Sequence, residues 1–330
     1  MANKAKRTRR LKETSSARAA AVSSCLLALS SIALSGCHSF AEADEKPYTS
    51  KGQKHYATID SERHFIKFFN IYYVRNGGIR QTMDLYVPEK GKKHPVVVWV
   101  HGGSWSFGDK NQDCLACRDL PQDFAVASVN YRHTDEGPWP IQMHDVKAAI
   151  RYLRKNAKQY GLDPDKIGVW GSSAGGHLAA MLGTTGDVKQ LEGNLGNNHT
   201  SSRVQAVVDW CGPTNFVSAA AQAPPTNKMR FRGAGSAVYN LLGGRDDEKS
   251  LAAASPITYV SPDDPPFLIM HGEEDDAIPP AQSEEFYQAL KKVGVDATYH
   301  LLPKRGHWFD SPEYSQTVKD FFTRTLGTSK

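Results

Sequence analysis

The sequence predicts an α/β fold: a mostly parallel, eight-stranded sheet with helices on both faces and a cap-like insertion. Three observations carry that expectation. Short apolar runs rich in branched residues, such as VVVWV at Val96 to Val100, read as strands buried on both faces. They alternate with segments of helical apolar spacing, the order that builds a parallel sheet through right-handed crossovers. With 330 residues, 40% of them hydrophobic, the chain has ample material for one large core.

The elements follow in order. FIKFFNIYYV from Phe65 and QTMDLYV to Val87 flank RNGGIR, where Asn76-Gly77 suits a tight hairpin turn, so these two strands should be antiparallel. Next come Val96 to Val100, Ala125 to Asn130, Ile167 to Trp170, Val204 to Trp210, Phe267 to Met270 and Thr298 to Leu302. Helices are expected at Ile141 to Tyr160, Ala174 to Leu182, Pro280 to Val293 and Tyr314 to Leu326. The first places Met143, Val146, Ala149, Ile150 and Leu153 on one stripe, and Gly161 stops it. Residues 213–255, rich in Ala, Pro and Gly, break the alternation and read as the cap.

The N-terminus obeys different rules. Lys4, Lys6, Arg7, Arg9, Arg10, Lys12 and Arg18 precede the apolar run from Ala19 to Leu34, the order of an export signal. That run is short for a membrane span, which needs about 20 residues, although a tilted anchor helix is the alternative. LSGC at Leu34 to Cys37 resembles the lipobox of bacterial lipoproteins, which implies a leader over 1–36, lipid at Cys37 and attachment to a membrane after export. The polar stretch 37–60 reads as a tether and 61–330 as the catalytic domain. Residues 1–36 hold seven Lys/Arg and one acidic residue, so of the chain's +5 the remainder carries −1. A near-neutral body argues against nucleic-acid binding.

Cys114 and Cys117 form a CxxC in a polar loop. In an exported chain a local disulfide is the leading use, ahead of free thiols or a metal site, since no second CxxC completes four ligands. Cys211 reads as a small core residue.

The chemistry is concentrated in GVWGSSAGGHLAA, Gly168 to Ala180. A serine set between Gly171 and Gly175, after a strand and before a helix, fits a sharp turn that lifts Ser173 Oγ clear of the sheet. A hydroxyl needs a base, and the base needs an orienting acid. His307, in a loop after the last strand, is the leading base over His300, His177, His101 and His271. HGEEDDAIPP follows the strand FLIM, and Asp275 leads over Asp276 and Glu274 as the acid. HGGSW at His101 to Trp105 follows the central strand, so backbone N–H groups of Gly103, Ser104 and Ala174 could surround a developing oxyanion.

HGGSWSFGDK, GVWGSSAGGHLAAMLGT, ASPITYVSPDDPPFLIMHGEEDDAIP and GHWF together resemble the esterase/lipase branch of the α/β-hydrolases, including feruloyl and acetyl-xylan esterases and the hormone-sensitive-lipase-like carboxylesterases. The similarity spans roughly 65–326. It implies an α/β-hydrolase fold, a triad of Ser173, Asp275 and His307, and ester hydrolysis through an acyl-enzyme, with neither metal nor organic cofactor. Where that family often has a third glycine or an aromatic residue, this chain has Ser104. A short-acyl or feruloyl ester on polysaccharide is the substrate the resemblance implies. An arylformamidase, a serine peptidase and a non-catalytic binding protein on the same fold are the alternatives, separable by ester, formamide and peptide panels and a fluorophosphonate probe. Phe216, Phe231, Tyr239, Trp308 and Trp105 are candidates either to line the pocket or to pack. Tyr131-Arg132 and Asp145 read as scaffold, with a structural ion pair, and Arg245 to Glu248 as a solvated loop.

Overall fold

A computed structural model describes residues 46–328, apart from 51–52, 61–63, 92, 113, 121–123 and 187. The expected leader, Cys37 and the first part of the tether lie outside the described residues. Within them the strands are β1 (Lys46–Ser50), β2 (Gln53–Asp60), β3 (Phe65–Tyr72), β4 (Thr82–Pro88), β5 (His94–Val100), β6 (Ala125–Val129), β7 (Leu162–Ser172), β8 (Ala206–Trp210), β9 (Phe267–Gly272) and β10 (Ala297–Leu302). They form one sheet in the order β1-β2-β3-β4-β6-β5-β7-β8-β9-β10. Pairing is antiparallel from β1 to β6 across the sheet and parallel from β6 to β10.

The sheet is thus two strands wider than the eight expected. Part of the segment assigned by composition to the tether forms strands instead: β1 pairs with β2, and β2 pairs with β3, with Ala57 opposite Phe68 and Ile59 opposite Ile66. Backbone pairing asks for no apolar alternation, and it covers the open N–H and C=O groups that β3 would otherwise present as an edge. The turn after β3 also differs. Asn76 takes φ 59°, as a hairpin residue would, but the connection runs from Tyr73 to Gln81 and ends in a short 3₁₀ turn at Ile79–Gln81. Its ends are tied elsewhere: Tyr73 OH donates to Asn130 O at 2.8 Å and Gln81 Nε2 to Asp145 Oδ1 at 2.8 Å.

The helices are α1 (Leu115–Asp119), α2 (Ile141–Lys155), α3 (Ala157–Tyr160), α4 (Ala174–Thr184), α5 (Phe216–Gln222), α6 (Ala237–Leu241), α7 (Glu248–Ala253), α8 (Ala281–Lys292) and α9 (Pro312–Leu326). The one helix expected over 141–160 is divided at Asn156, whose side-chain amide and backbone N–H both donate to Tyr152 O. Alternation along β5 decides which helix covers which face. Val96, Val98 and Val100 share a core with Met143 and Val146 of α2, Leu178 of α4 and Phe286 of α8. Val97 and Trp99 point the other way, into a second core with Leu115 of α1 and Val318 and Phe322 of α9. Each such side chain contributes about 1.5–3 kcal/mol on burial.

Helices α5 to α7 lie within the segment read as a cap, and Phe216, Val238, Leu241 and Leu251 bury its inner side. The scaffold pair forms as expected: Arg132 Nε and Nη2 each donate to the fully buried Asp145 at 2.8 Å. Cys114 and Cys117 are joined by a disulfide where α1 begins. That short helix carries Arg118, whose guanidinium grips both oxygens of Asp310 at 2.7 Å, three residues beyond His307.

Candidate active site

Parallel strands aim their C-terminal ends at one edge of the sheet, and four of them deliver the site. β7 ends at Ser172 and α4 starts at Ala174, leaving Ser173 alone in the turn at φ 57° and ψ −121°. A non-glycine residue held there costs about 1–3 kcal/mol, so neighbours must hold it. Ser173 N–H donates to Trp210 O at 2.8 Å, and Ser173 O accepts from His177 N–H at 3.0 Å. The framing glycines are a steric necessity. A Cβ on Gly171 would stand 2.1 Å from Gly175 O, and one on Gly175 would stand 2.0 Å from Val100 O.

Ser173, His307 and Asp275 meet in one hydrogen-bonded chain. His307 Nε2 lies 3.0 Å from Ser173 Oγ, and Nδ1 lies 2.7 Å from Asp275 Oδ2. With Nδ1–H donating to the carboxylate, Nε2 is left free to accept from the serine. Asp275 Oδ1 accepts the backbone N–H groups of Ala277 (2.8 Å) and Ile278 (2.9 Å), while Oδ2 also accepts from His271 Nε2 at 3.0 Å. Burial works against the charge of Asp275, but the hydrogen bonds from His271 and His307 outweigh it and hold the carboxyl well below the usual carboxylate range. Its neighbours serve otherwise: Asp276 pairs with exposed Lys228 at 2.6 Å, and Glu274 is exposed.

Burial also opposes protonation of His307, whereas the Cys211 sulfur and the Asp275 carboxylate favour it, and the balance lifts the imidazole above its ordinary range. Cys211 Sγ lies 3.3 Å from His307 O, to which it donates. Cys211, Asp275 and His307 offer ligand atoms within 4.8 Å of one another, the one such group among the described residues. The His307 Nδ1 in that group is already committed to Asp275.

The HGGSW turn lies against the nucleophile. A Cβ on Gly102 would meet Ser172 O at 3.1 Å and Ser173 Cβ at 3.4 Å, so glycine lets the backbone approach. Gly103, Ser104 and Trp105 all take positive φ, at 110°, 50° and 58°. The N–H groups of Ser106 and Phe107 both donate back to Gly103 O, at 2.9 and 3.0 Å, and close the turn on itself. Ala174 N–H opens α4, where the helix itself supplies no acceptor. What holds the strained turn is a buried relay: Trp105 Nε1–H donates to His177 Nδ1 at 3.2 Å, and His177 Nε2–H to Ala254 O at 2.7 Å. Burial pushes His177 down to about 4, so it stays neutral and can accept and donate at once.

A cleft of about 480 Å³ opens over Ser173, lined by Gly102 to Ser104, Phe107, Gln112, Lys228, Met229, Ala277, His307 and Trp308 among others. Of the five aromatic candidates only Trp308 lines it. Phe216 packs on Trp105 and His177 in the core, Phe231 is buried, and Tyr239 stands beside Gly244. Gln112, Lys228 and Met229 lie outside every motif, and Phe107, although inside HGGSWSFGDK, had no role there that the sequence could assign. His271 and His177 had a signal, since each is a histidine at a strand or helix end next to a catalytic residue, but nothing in the spacing told partner from bystander.

A serine, a carboxylate and an imidazole presented in that chain order from the strand ends of a parallel sheet define an α/β-hydrolase. The BD-FAE family model matches residues 83–290, and the chain belongs to that family. It is similar to "Esterase LipQ" of Mycobacterium tuberculosis, 32% identical over 77% of this chain and 62% of that protein. Among solved structures it is similar to a "Truncated form of carbohydrate esterase from gut microbiota", with a TM-score of 0.72 and 32% identity over 81% of this chain and 99% of that one. An "acetyl ester-xyloside bifunctional hydrolase from Caldicellulosiruptor lactoaceticus" gives a TM-score of 0.63 and 25% identity, covering 75% of this chain and 90% of the other. The chain spans 49–62% of the length of the first three curated relatives it matches.

Proposed function

We propose that the protein hydrolyses carboxylic esters through an acyl-enzyme on Ser173, with short-acyl or feruloyl esters of polysaccharide as its substrates. One observation carries the chemistry: the unbroken chain from Asp275 Oδ2 through His307 to Ser173 Oγ, at 2.7 and 3.0 Å. As Oγ attacks the ester carbonyl, His307 Nε2 takes its proton. The imidazolium so formed is steadied by Asp275, which stays ionised. The carbonyl oxygen, now negative, accepts from the backbone N–H groups of Gly103, Ser104 and Ala174, each worth about 3 kcal/mol at the transition state. His307 then protonates the departing alcohol and, in the second half, draws a proton from water to release the acid.

The polysaccharide part is supported by the similarity to the carbohydrate esterase, which the chain covers almost end to end, and to the acetyl ester-xyloside hydrolase. The test compares rates on acetyl, butyryl, octanoyl and feruloyl esters and acetylated xylan, for wild type and Ser173→Ala. Ser173→Ala should fold normally and lose turnover of every ester; a cleanly folded variant with undiminished activity refutes the assignment. Turnover of long acyl chains alone would overturn the polysaccharide reading. The same proposal places the enzyme outside the cytoplasm, held to a membrane by lipid on Cys37, and labelling with a fatty-acid analogue that survives Cys37→Ala would refute it.

A further inference from the structure

Two large aromatic side chains stand exposed at the mouth of the cleft. Phe107 is 62% and Trp308 56% accessible, and they are the only aromatics among the exposed large hydrophobics of the described residues. Both line the cleft that holds Ser173 and the oxyanion turn. Neither placement is loose. Phe107 N–H donates to Gly103 O at 3.0 Å, closing the turn that begins at the oxyanion residues, and a Cβ on Gly103 would stand 2.0 Å from Phe107 O. Trp308 follows the catalytic histidine directly, and the next residue, Phe309, is buried against Trp210 with ring centroids 4.7 Å apart. With its neighbours fixed inward, Trp308 is held outward.

An apolar surface kept in water beside a reactive group marks a binding face. We propose that Phe107 and Trp308 form a saccharide subsite that receives the pyranose ring bearing the ester or the ring next to it. The apolar C–H face of a pyranose lies flat on an aromatic ring while its hydroxyls point sideways to water and to polar side chains. Gln112, exposed on the same cleft, offers an amide donor and acceptor for them. Lys228, the one Lys or Arg lining the cleft among the described residues, pairs with Asp276 at 2.6 Å, which favours an uncharged ligand. A fatty acyl chain would need an enclosed apolar channel, whereas these two rings face solvent. The proposal rests on the polysaccharide reading above and adds the residues that would read the sugar.

The test uses the full chain and the ratio of kcat/KM for acetylated xylo-oligosaccharide to that for ethyl acetate, in wild type, Phe107→Ala, Trp308→Ala and Trp308→Phe. The ratio should fall at least about tenfold in each alanine variant, through KM, the scale of one aromatic contact at a recognition hot spot, and Trp308→Phe should recover most of it. In Ser173→Ala, unsubstituted xylohexaose should quench tryptophan fluorescence, and Trp308→Ala in that background should remove the change. An unaltered ratio in variants with wild-type unfolding midpoints overturns the subsite alone. A matching fall on an octanoyl ester overturns it as well, since the rings would then be holding acyl chain. If wild type hydrolyses ethyl acetate but no saccharide ester, the polysaccharide reading fails and takes the subsite with it.

Discussion

Asp209 is a buried acid outside the triad, and it gives a stability prediction that can be worked through. It sits in β8, fully buried, with Oδ1 accepting from Gly212 N–H at 2.9 Å and Oδ2 without a partner among the described residues. Burial pushes its pKa from 3.8 up to about 7. Because the folded value lies above the unfolded one, the native state holds the proton longer, and stability falls as pH rises between the two. It is whole below the unfolded pKa and fully lost only above the folded one. A rise of about three units at about 1.4 kcal/mol each gives a loss of up to about 4 kcal/mol by alkaline pH. Asp209→Asn keeps the shape and the acceptor for Gly212 but cannot ionise. Urea unfolding of the two proteins between about pH 4 and pH 9 should therefore give similar stabilities at the acid end and an increasing advantage to Asn above neutrality. Parallel stability curves, or an Asn variant weaker throughout, would show that the carboxylate is solvated or paired and that the reasoning is wrong.

The remaining predictions concern the site. Catalysis needs His307 neutral, and its pKa is raised, so kcat/KM should climb with pH along a limb above the ordinary imidazole value of 6.5. Asp275→Asn removes the charge that raises it: kcat should drop by about 10⁴ and the limb should move to lower pH, so a limb that stays or rises refutes the assignment. Gly175→Ala forces a Cβ to within 2.0 Å of Val100 O, and the backbone must yield. Thermal unfolding should show a loss of about 1–3 kcal/mol, accompanied by lost activity; an active variant of wild-type stability would mean the elbow is slack. Trp105→Phe keeps the ring but leaves His177 Nδ1 unpaired in the core, which costs about 1–3 kcal/mol. Because that bond anchors the oxyanion turn, kcat should fall more than KM rises, and an effect on KM alone would assign Trp105 to substrate binding instead.

How much of this was legible in the sequence depends on whether a residue's task is local. Ser173 between Gly171 and Gly175 could be read because the steric demand arises within five consecutive residues, and Gly171 shows it: its missing Cβ makes room for the carbonyl of Gly175. His307 and Asp275 were legible because parallel strands place all their C-terminal loops at one edge, so chain order translates into proximity. His177 and Trp105 failed that test. Both were noticed, yet their bond spans 72 positions and joins a helix to a loop, and no periodicity encodes such a pairing. The two extra strands failed for another reason: β1 and β2 join the sheet through backbone atoms, which every residue but proline supplies alike. Phe107 is the instructive case. An exposed aromatic in a loop looks like any other in sequence, and only the Gly103 turn, which ties Phe107 N–H back to Gly103 O, sets it on the cleft beside Ser173.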